Sequence, residues 1–178
     1  YVASNYGVTK INAGTCAAGS NTATFDTSLS RPETLTLNIQ SGVAKDTLAY
    51  GTIHRTSWGS SQITAPTGCD DTKIVSAFWD TTTYTIGIAR KLSEQLSLTG
   101  AFSKETGGNA TSTSLFTVNN GYTGINIGAQ YKIGKLKLSG GYNYVKLGDV
   151  RITDGTNDFA TYTGNKVGAF GFKVGVNF

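Results

Sequence analysis

The chain alternates between apolar and polar residues at every second position, most strictly in its last nine residues, 170–178. Successive side chains of a β-strand point to opposite faces, so such a segment has one apolar and one polar face. The apolar face of this segment consists of Phe170, Phe172, Val174, Val176 and Phe178. The same period recurs along most of the chain, and no helical period competes with it. The sequence therefore predicts an all-β protein.

The alternating segments predict about eight antiparallel strands. Pro32 interrupts the second of them and cannot donate to a ladder, so we expect a bend or bulge there. A register shift at this point also keeps Arg31 and Glu33 away from the apolar face. The predicted strands cover residues 1–11, 22–43, 46–58, 80–91, 94–104, 121–133, 135–147 and 165–178.

The connections between these strands alternate between short turns and long loops. Short turns are predicted near residues 44–46, 91–94 and 134, and long loops at 12–22, 59–79, 104–120 and 148–163. Short turns on one rim and long loops on the other are typical of transmembrane β-barrels. The composition suits this class, with 15% charged residues and 23 glycines in 178 residues. A soluble β-sandwich, which would bury the aliphatic face instead, is the alternative.

Two segments carry a more specific resemblance. Residues 28–33 read Ser-Leu-Ser-Arg-Pro-Glu, and a later strand leads into Arg-Thr-Ser-Trp-Gly at 55–59. Together with the Tyr-Val-Ala-Ser of residues 1–4, these resemble FadL-type outer-membrane transporters of long-chain fatty acids and other hydrophobic compounds. Arg31 and Arg55 depart from the Leu and Tyr usual there. That family has fourteen strands and an internal plug, so the resemblance implies the C-terminal portion of a larger barrel.

The resemblance implies a place and a set of partners. The protein is expected in the outer membrane of a Gram-negative bacterium, with its long loops extracellular and its C-terminus periplasmic. Expected partners are outer-membrane lipids, a hydrophobic small-molecule ligand and the barrel assembly machinery. In such barrels the last strand, here with Phe170, Phe172, Val174, Val176 and Phe178, forms part of the assembly signal.

A smaller barrel is the alternative. Eight strands close by themselves around a side-chain-filled interior, so residues 1–178 form either a single barrel domain or the C-terminal part of a larger one. A complete eight-stranded barrel would be structural or adhesive and would have no transport lumen. The chain contains no Met, so we expect a processed protein or a piece of a longer one.

Two apolar patches fall in the predicted long loops. Phe78 and Trp79 close the run at 74–79, and Leu115 and Phe116 open the run at 115–118. Exposed apolar clusters mark contact with a ligand, a membrane or a partner, and in a FadL-type protein they would capture a hydrophobic solute from water. The alternative is that both runs continue strands above the membrane.

Cys16 and Cys69 also fall in predicted long loops on one rim. Two cysteines permit one intramolecular pairing, and the outer face of the cell is oxidising. We therefore predict a disulfide that ties the first two long loops together.

The strand patterns also place polar and aromatic side chains. Lys132, Lys137 and Lys173 fall on the polar face near the short-turn rim, where they would be solvated or would pair with a fatty-acid carboxylate. Several aromatic residues are predicted to form girdles at the lipid interface: Tyr84, Phe102, Tyr122, Tyr142 and Tyr144.

No residue pattern indicates catalysis. His54 is the only histidine and has no nucleophile motif beside it, so we expect it to line the wall or the lumen. Asp70 and Asp71 are expected to be solvated loop residues. We predict no catalytic residues, no metal site, no cofactor and no enzyme activity. The scattered basic residues, with a net charge of +4, form no nucleic-acid surface.

Overall fold

The computed structural model describes residues 5–13, 23–66, 72–74 and 76–176. Apart from one 3₁₀ turn at Trp58–Ser60, all of its regular elements are strands. They are β1 (Asn5–Ala13), β2 (Ala23–Ser30), β3 (Glu33–Ala44), β4 (Thr47–Ser57), β5 (Thr64–Pro66), β6 (Thr72–Ile74), β7 (Thr81–Lys91), β8 (Leu96–Glu105), β9 (Thr111–Ser112), β10 (Tyr122–Ile133), β11 (Leu136–Leu147), β12 (Val150–Thr153), β13 (Asp158–Tyr162) and β14 (Lys166–Val176).

Seven long strands form one sheet in the order β14-β11-β10-β8-β7-β4-β3, and every neighbouring pair in it is antiparallel. β1 and β2 form a separate hairpin, β5 and β6 form another, and β13-β12-β9 form a small third sheet. The prediction of an all-β protein is confirmed, and its large sheet is antiparallel as expected. Among the described residues β3 and β14 each pair on one side only, so the large sheet has two open edges.

The predicted strand 22–43 is two strands. β2 ends at Ser30, β3 begins at Glu33, and the two belong to different sheets. Arg31 and Pro32 lie between them because the proline nitrogen has no hydrogen to give to a ladder. The expected bend at Pro32 is thus a complete break.

The alternation of turns and loops is confirmed in the large sheet. Short turns join β3 to β4, β7 to β8 and β10 to β11, and long connections follow β4, β8 and β11. Asp46 and Gly134 occupy two of the short turns with φ of 56° and 55°, the left-handed conformation that closes a tight turn. We call the opposite end of the sheet the loop-side rim.

The most deeply buried apolar side chains lie in the long loops and not in the large sheet. Val150 and Ile152 of β12 are each 1% exposed, the lowest among the described apolar side chains. β12 pairs antiparallel with β13 and parallel with β9, so the loop after β11 packs against the loop after β8. The backbone N–H of Arg151 donates to the carbonyl of Ala110 over 2.8 Å and extends this contact. The packed core therefore sits at the loop-side rim.

The large sheet shows the reverse pattern, because its apolar face is the exposed one. Ile86, Phe102, Ile125 and Tyr144 lie side by side on four adjacent strands, and Ile86 is 65% exposed. We call this face the outer face and the opposite one the inner face. A soluble sandwich buries its apolar face, so this arrangement is that of a membrane-facing wall. No helix among the described residues is long and apolar enough to cross a membrane.

Candidate functional site

Aromatic side chains from two loops meet at the loop-side ends of β4, β7 and β8 and surround a cavity of about 320 Å³. Trp58 follows β4 directly, Phe78 and Trp79 precede β7, and Phe116 comes from the loop after β8. The rings of Trp58 and Phe78 meet edge to face with centroids 5.9 Å apart, an arrangement that aromatic pairs favour. We call this space the aromatic cavity. Its other lining residues are Ala77, Thr81, Glu105, Thr117 and Asn119.

One glutamine ties the two sides of the cavity wall together. The side-chain amide nitrogen of Gln62 donates to the carbonyl of Phe78 over 2.8 Å and to that of Trp58 over 3.2 Å. Its amide oxygen accepts the Phe78 N–H at 3.2 Å and the Ser76 hydroxyl at 2.6 Å. Gln62 therefore fixes the backbone that carries both rings, so the cavity is shaped before any ligand arrives.

Asp80 holds the same turn from the other side. Its Oδ1 accepts the backbone N–H of Gly59 over 2.9 Å, and its Oδ2 lies 3.1 Å from Nη2 of Arg55. Exposed ion pairs contribute only about 0–1 kcal/mol, so the main effect of Asp80 is to orient the turn that begins at Trp58.

The loop after β8 closes the third side. Gly108 packs against the indole of Trp79, and a Cβ at this position would collide with the ring. Thr117 donates its hydroxyl to the carbonyl of Ala77 over 3.3 Å. These contacts bring the loop that carries Phe116 against the segment that carries Trp79.

The structure brings together three of the four predicted ligand residues. Phe78, Trp79 and Phe116 line the aromatic cavity, whereas Leu115 is 66% exposed at the tip of the adjoining turn and does not line it. Sequence reasoning did not place Trp58 with these residues, although it lines the same cavity. Its position directly after a strand that leads into the loop was the available signal.

A second cavity, of about 440 Å³, lies on the inner face. Small side chains form its floor at Ala101 and Gly124, and the rings of Tyr50 and Tyr122 border it. We call it the inner cavity. The placement of Tyr122 in a lipid girdle is wrong, because Tyr122 pairs with the inner-face residue Glu105. The remaining lining residues are Thr85, Ser103, Asn126, Asn143 and Val145.

The rest of the inner face is a polar ladder. His54 lies between two threonines, with Nδ1 2.7 Å from the Thr36 hydroxyl and Nε2 3.1 Å from the Thr56 hydroxyl. One row further from the rim, Thr52 donates to Asn38 over 2.8 Å. His54 is thus a wall residue on the inner face, as expected. These hydrogen bonds join side chains of β3 and β4 within the inner face, so the polar groups find their partners in the wall itself.

The three inner-face lysines lie where the pattern predicted. Lys132 pairs with Lys137, and Lys173 pairs with Ser139 on the next strand pair, all near the short turn at Gly134. Charged side chains thus gather at the end of the inner face opposite the aromatic cavity. Among the described residues no group of three His, Cys, Asp or Glu side chains is placed to hold a metal ion.

The last strand presents its apolar residues outward. Phe170 is 76% exposed and Phe172 66%, and Val174 and Val176 continue the same face of β14. Their role as an assembly signal stays a prediction. Phe178 lies outside the described residues, as do Asp70, Asp71 and both cysteines, so the Cys16–Cys69 disulfide also stays a prediction.

Structural comparison finds that the chain is similar to proteins of known structure, two of which are a FadL homologue and a toluene transporter. A FadL homologue of Pseudomonas aeruginosa aligns with a TM-score of 0.62 at 13% identity, over 85% of this chain and 35% of its own length. The toluene transporter TodX of Pseudomonas putida aligns with a TM-score of 0.48 at 14% identity, over 72% of this chain and 34% of its own. No protein-family model and no curated protein matches the sequence.

The likeness to the P. aeruginosa structure shows the fold. The resemblance to FadL-type barrels that residues 28–33 and 55–59 indicated is confirmed at that level, and the large sheet is a segment of such a wall. The chain spans about a third of the length of both structures (35% and 34%).

Proposed function

We propose that this chain forms part of the wall of an outer-membrane barrel that takes up hydrophobic small molecules by passive diffusion. The observation that carries the proposal is that the two cavities lie close together along one strand. Glu105 lines the aromatic cavity, and Ser103, two residues earlier in β8, lines the inner cavity. Two residues of a strand span about 7 Å, so the second cavity is the nearest stop along β8 for a solute that leaves the first in this proposal.

The two cavities have different chemistry. In the aromatic cavity, the rings cover apolar surface of the solute and remove it from water. This burial contributes a binding free energy of about 25 cal/mol per Å². In the inner cavity, Ala101 and Gly124 leave space while Asn126 and Asn143 offer amides. A solute that is bound in the first cavity and held only weakly in the second can diffuse onward. Passive conduction needs sites that release the solute as well as bind it.

A long-chain fatty acid fits this path more specifically than a neutral hydrocarbon does. Lys132, Lys137 and Lys173 stand at the far end of the inner face, where an ammonium group would pair with the carboxylate. In this proposal the loop-side rim is extracellular and the short-turn rim periplasmic. β14 then runs inward and ends at the periplasmic side.

A larger barrel fits better than a complete eight-stranded one. The edges at β3 and β14 carry backbone groups that are unpaired among the described residues, and unpaired backbone groups in hydrocarbon cost several kcal/mol each. Further strands would satisfy them. The denatured mass of the native protein tests this directly. We expect more than twice 18.7 kDa, and a mass of 18.7 kDa would instead favour a structural or adhesive barrel.

Binding of two solutes to the full-length protein in detergent tests the function. We expect Phe116→Ala and Trp79→Ala each to weaken binding of both laurate and toluene by about tenfold to a hundredfold, since loss of an aromatic contact that the solute would bury costs about 1.5–3 kcal/mol. Phe159→Ala is the matched control, because Phe159 is an exposed aromatic of β13 that does not line the aromatic cavity. Equal effects at Phe116 and Phe159 would contradict the proposal.

The same assay separates fatty acids from neutral solutes. Lys132→Gln/Lys137→Gln is expected to weaken laurate binding severalfold and to leave toluene binding unchanged. A parallel loss for both solutes, or no loss for laurate, would remove the carboxylate role and leave only general hydrophobic uptake.

A further inference from the structure

Three lysines form a row on the outer face of the large sheet. Lys104 of β8 pairs with Thr123 of β10, Thr123 pairs with Lys146 of β11, and Lys146 pairs with Lys166 of β14. Partners in register point to the same side, so all four side chains share one face. All four are exposed. Within the described residues, no carboxylate lies within ion-pair distance of these three ammonium groups.

The row lies at the edge of the apolar band. On β11 the outer face runs from Leu136 through Leu138, Gly140, Tyr142 and Tyr144 to Lys146. Ten residue steps at about 3.4 Å, tilted by about 40°, project to about 26 Å. The apolar band of outer-membrane barrels is about 25 Å tall. The row therefore lies at headgroup depth.

Two concave features flank the row. A polar cavity of about 400 Å³ lies at the strand ends, lined by Lys104, Thr123 and Lys146 on the outer face and also by Glu105 of the inner face. On the short-turn side of the row, a groove of about 550 Å³ is cut into the apolar band. Ala129 and Gly140 form its floor, and larger side chains, among them Leu98 and Phe170, form its walls. A polar recess above an apolar groove is the shape of a headgroup site above an acyl-chain site.

We propose that this surface binds a membrane lipid whose headgroup carries two phosphates, with one acyl chain in the groove. Neighbouring strands lie about 4.8 Å apart, so the backbone of Lys104 stands about 10 Å from that of Lys146 and about 14 Å from that of Lys166. This span exceeds a single phosphate and suits a disaccharide headgroup phosphorylated at both ends. The proposal goes beyond solute uptake and rests on the outer face meeting lipid.

Lipid binding to the full-length protein, measured by native mass spectrometry in detergent, tests the proposal. The probes are bis-phosphorylated lipid A, monophosphoryl lipid A and phosphatidylglycerol. Lys104→Gln/Lys146→Gln/Lys166→Gln is expected to weaken binding of the bis-phosphorylated probe on the order of a hundredfold, given about 1 kcal/mol per lysine at a membrane surface. Binding of the monophosphoryl probe should weaken less in this variant, and binding of phosphatidylglycerol should weaken least.

The control variant removes the same charge at the other rim. Lys45→Gln/Arg90→Gln/Lys135→Gln changes two exposed turn residues and the exposed Arg90 near the end of β7, and we expect it to leave binding of the bis-phosphorylated probe unchanged. Gly140→Leu tests the groove separately. A Cβ at Gly140 meets its neighbours at ordinary contact distances of 3.7 and 3.9 Å, so the longer side chain fills the groove without displacing the backbone.

Each outcome is decisive. Loss in the lysine-row variant and in Gly140→Leu, with the control unaffected, supports a built lipid site. Equal loss in both triple variants would reduce the effect to net charge and overturn the proposal, as would equal binding of all three lipids. Solute binding should stay unchanged in the lysine-row variant, so failure here leaves the uptake proposal standing.

Discussion

The phenol ring of Tyr50 lies across Gly87 on the neighbouring strand and brings its hydroxyl to 3.2 Å from Oγ1 of Thr99, two strands away. A single side chain therefore spans β4, β7 and β8 on the inner face. It also forms one border of the inner cavity. Glycine at 87 is what lets the ring lie flat there.

Gly87→Ala is expected to destabilise the protein by about 1–3 kcal/mol, because the new methyl group displaces the Tyr50 ring and breaks its bond to Thr99. The free energy of unfolding in urea, measured in detergent or lipid, is the readout. Gly51→Ala is the control, since a Cβ there meets only the Thr85 carbonyl oxygen at 3.6 Å. If the two variants are equally stable, the close packing of Tyr50 on Gly87 is unimportant. Tyr50→Ala should abolish the difference between them.

Two substitutions at Asp80 separate its hydrogen bond to Gly59 from its ion pair with Arg55. Asp80→Asn keeps an oxygen for the Gly59 N–H but removes the charge beside Arg55, so we expect solute binding to change less than twofold. Asp80→Ala removes both partners and should weaken binding severalfold, because the turn that carries Trp58 loses its anchor. Equal losses in the asparagine and alanine variants would show that the exposed ion pair dominates, contrary to its expected small contribution.

The turn after β12 is expected to respond to acid. The backbone N–H groups of Asn157 and Thr156 donate to Oδ1 of Asp154 over 2.7 and 2.8 Å, and they lower the pKa of that carboxyl below its ordinary 3.8. A lowered pKa in the folded state means that the contribution of the carboxylate to the turn is present above the ordinary value. It is lost as the pH falls through the folded value.

Amide chemical shifts of Thr156 and Asn157 report this titration by NMR. Their midpoint should lie below pH 3.8, and Asp154→Asn should abolish it. A midpoint at or above that value would contradict the role of the two backbone donors.

Period-2 patterns predicted the wall well because they follow from strand geometry alone. Ile125 and Ile127 point outward and Asn126 points inward, as their order in the sequence requires. The same parity places Tyr122 on the inner face, so that error came from assigning aromatic residues to girdles by type. The break at Pro32 was also predictable, from its missing hydrogen-bond donor.

The loop-side rim was not predictable from patterns. Trp58 and Phe116 line one cavity although they are far apart in the sequence, and the bonds of Gln62 and the close fit of Gly108 to Trp79 bring them together. β9, β12 and β13 are two, four and five residues long, too short to show a period. Tertiary contacts between loops decide such structure, and the amino-acid sequence expresses them only indirectly.

Accessibility of spin labels along β10 tests most directly whether the apolar face meets lipid and the polar face meets the lumen. Single cysteines at 125, 126, 127 and 130, in a Cys16→Ser/Cys69→Ser background of the full-length protein, would carry the labels in lipid bilayers. Labels at Ile125 and Ile127 should be relaxed by oxygen, which partitions into hydrocarbon. Labels at Asn126 and Gln130 should instead be relaxed by a water-soluble nickel chelate. A reversed alternation, or none, would contradict a lipid-facing outer surface and with it the barrel wall proposed here.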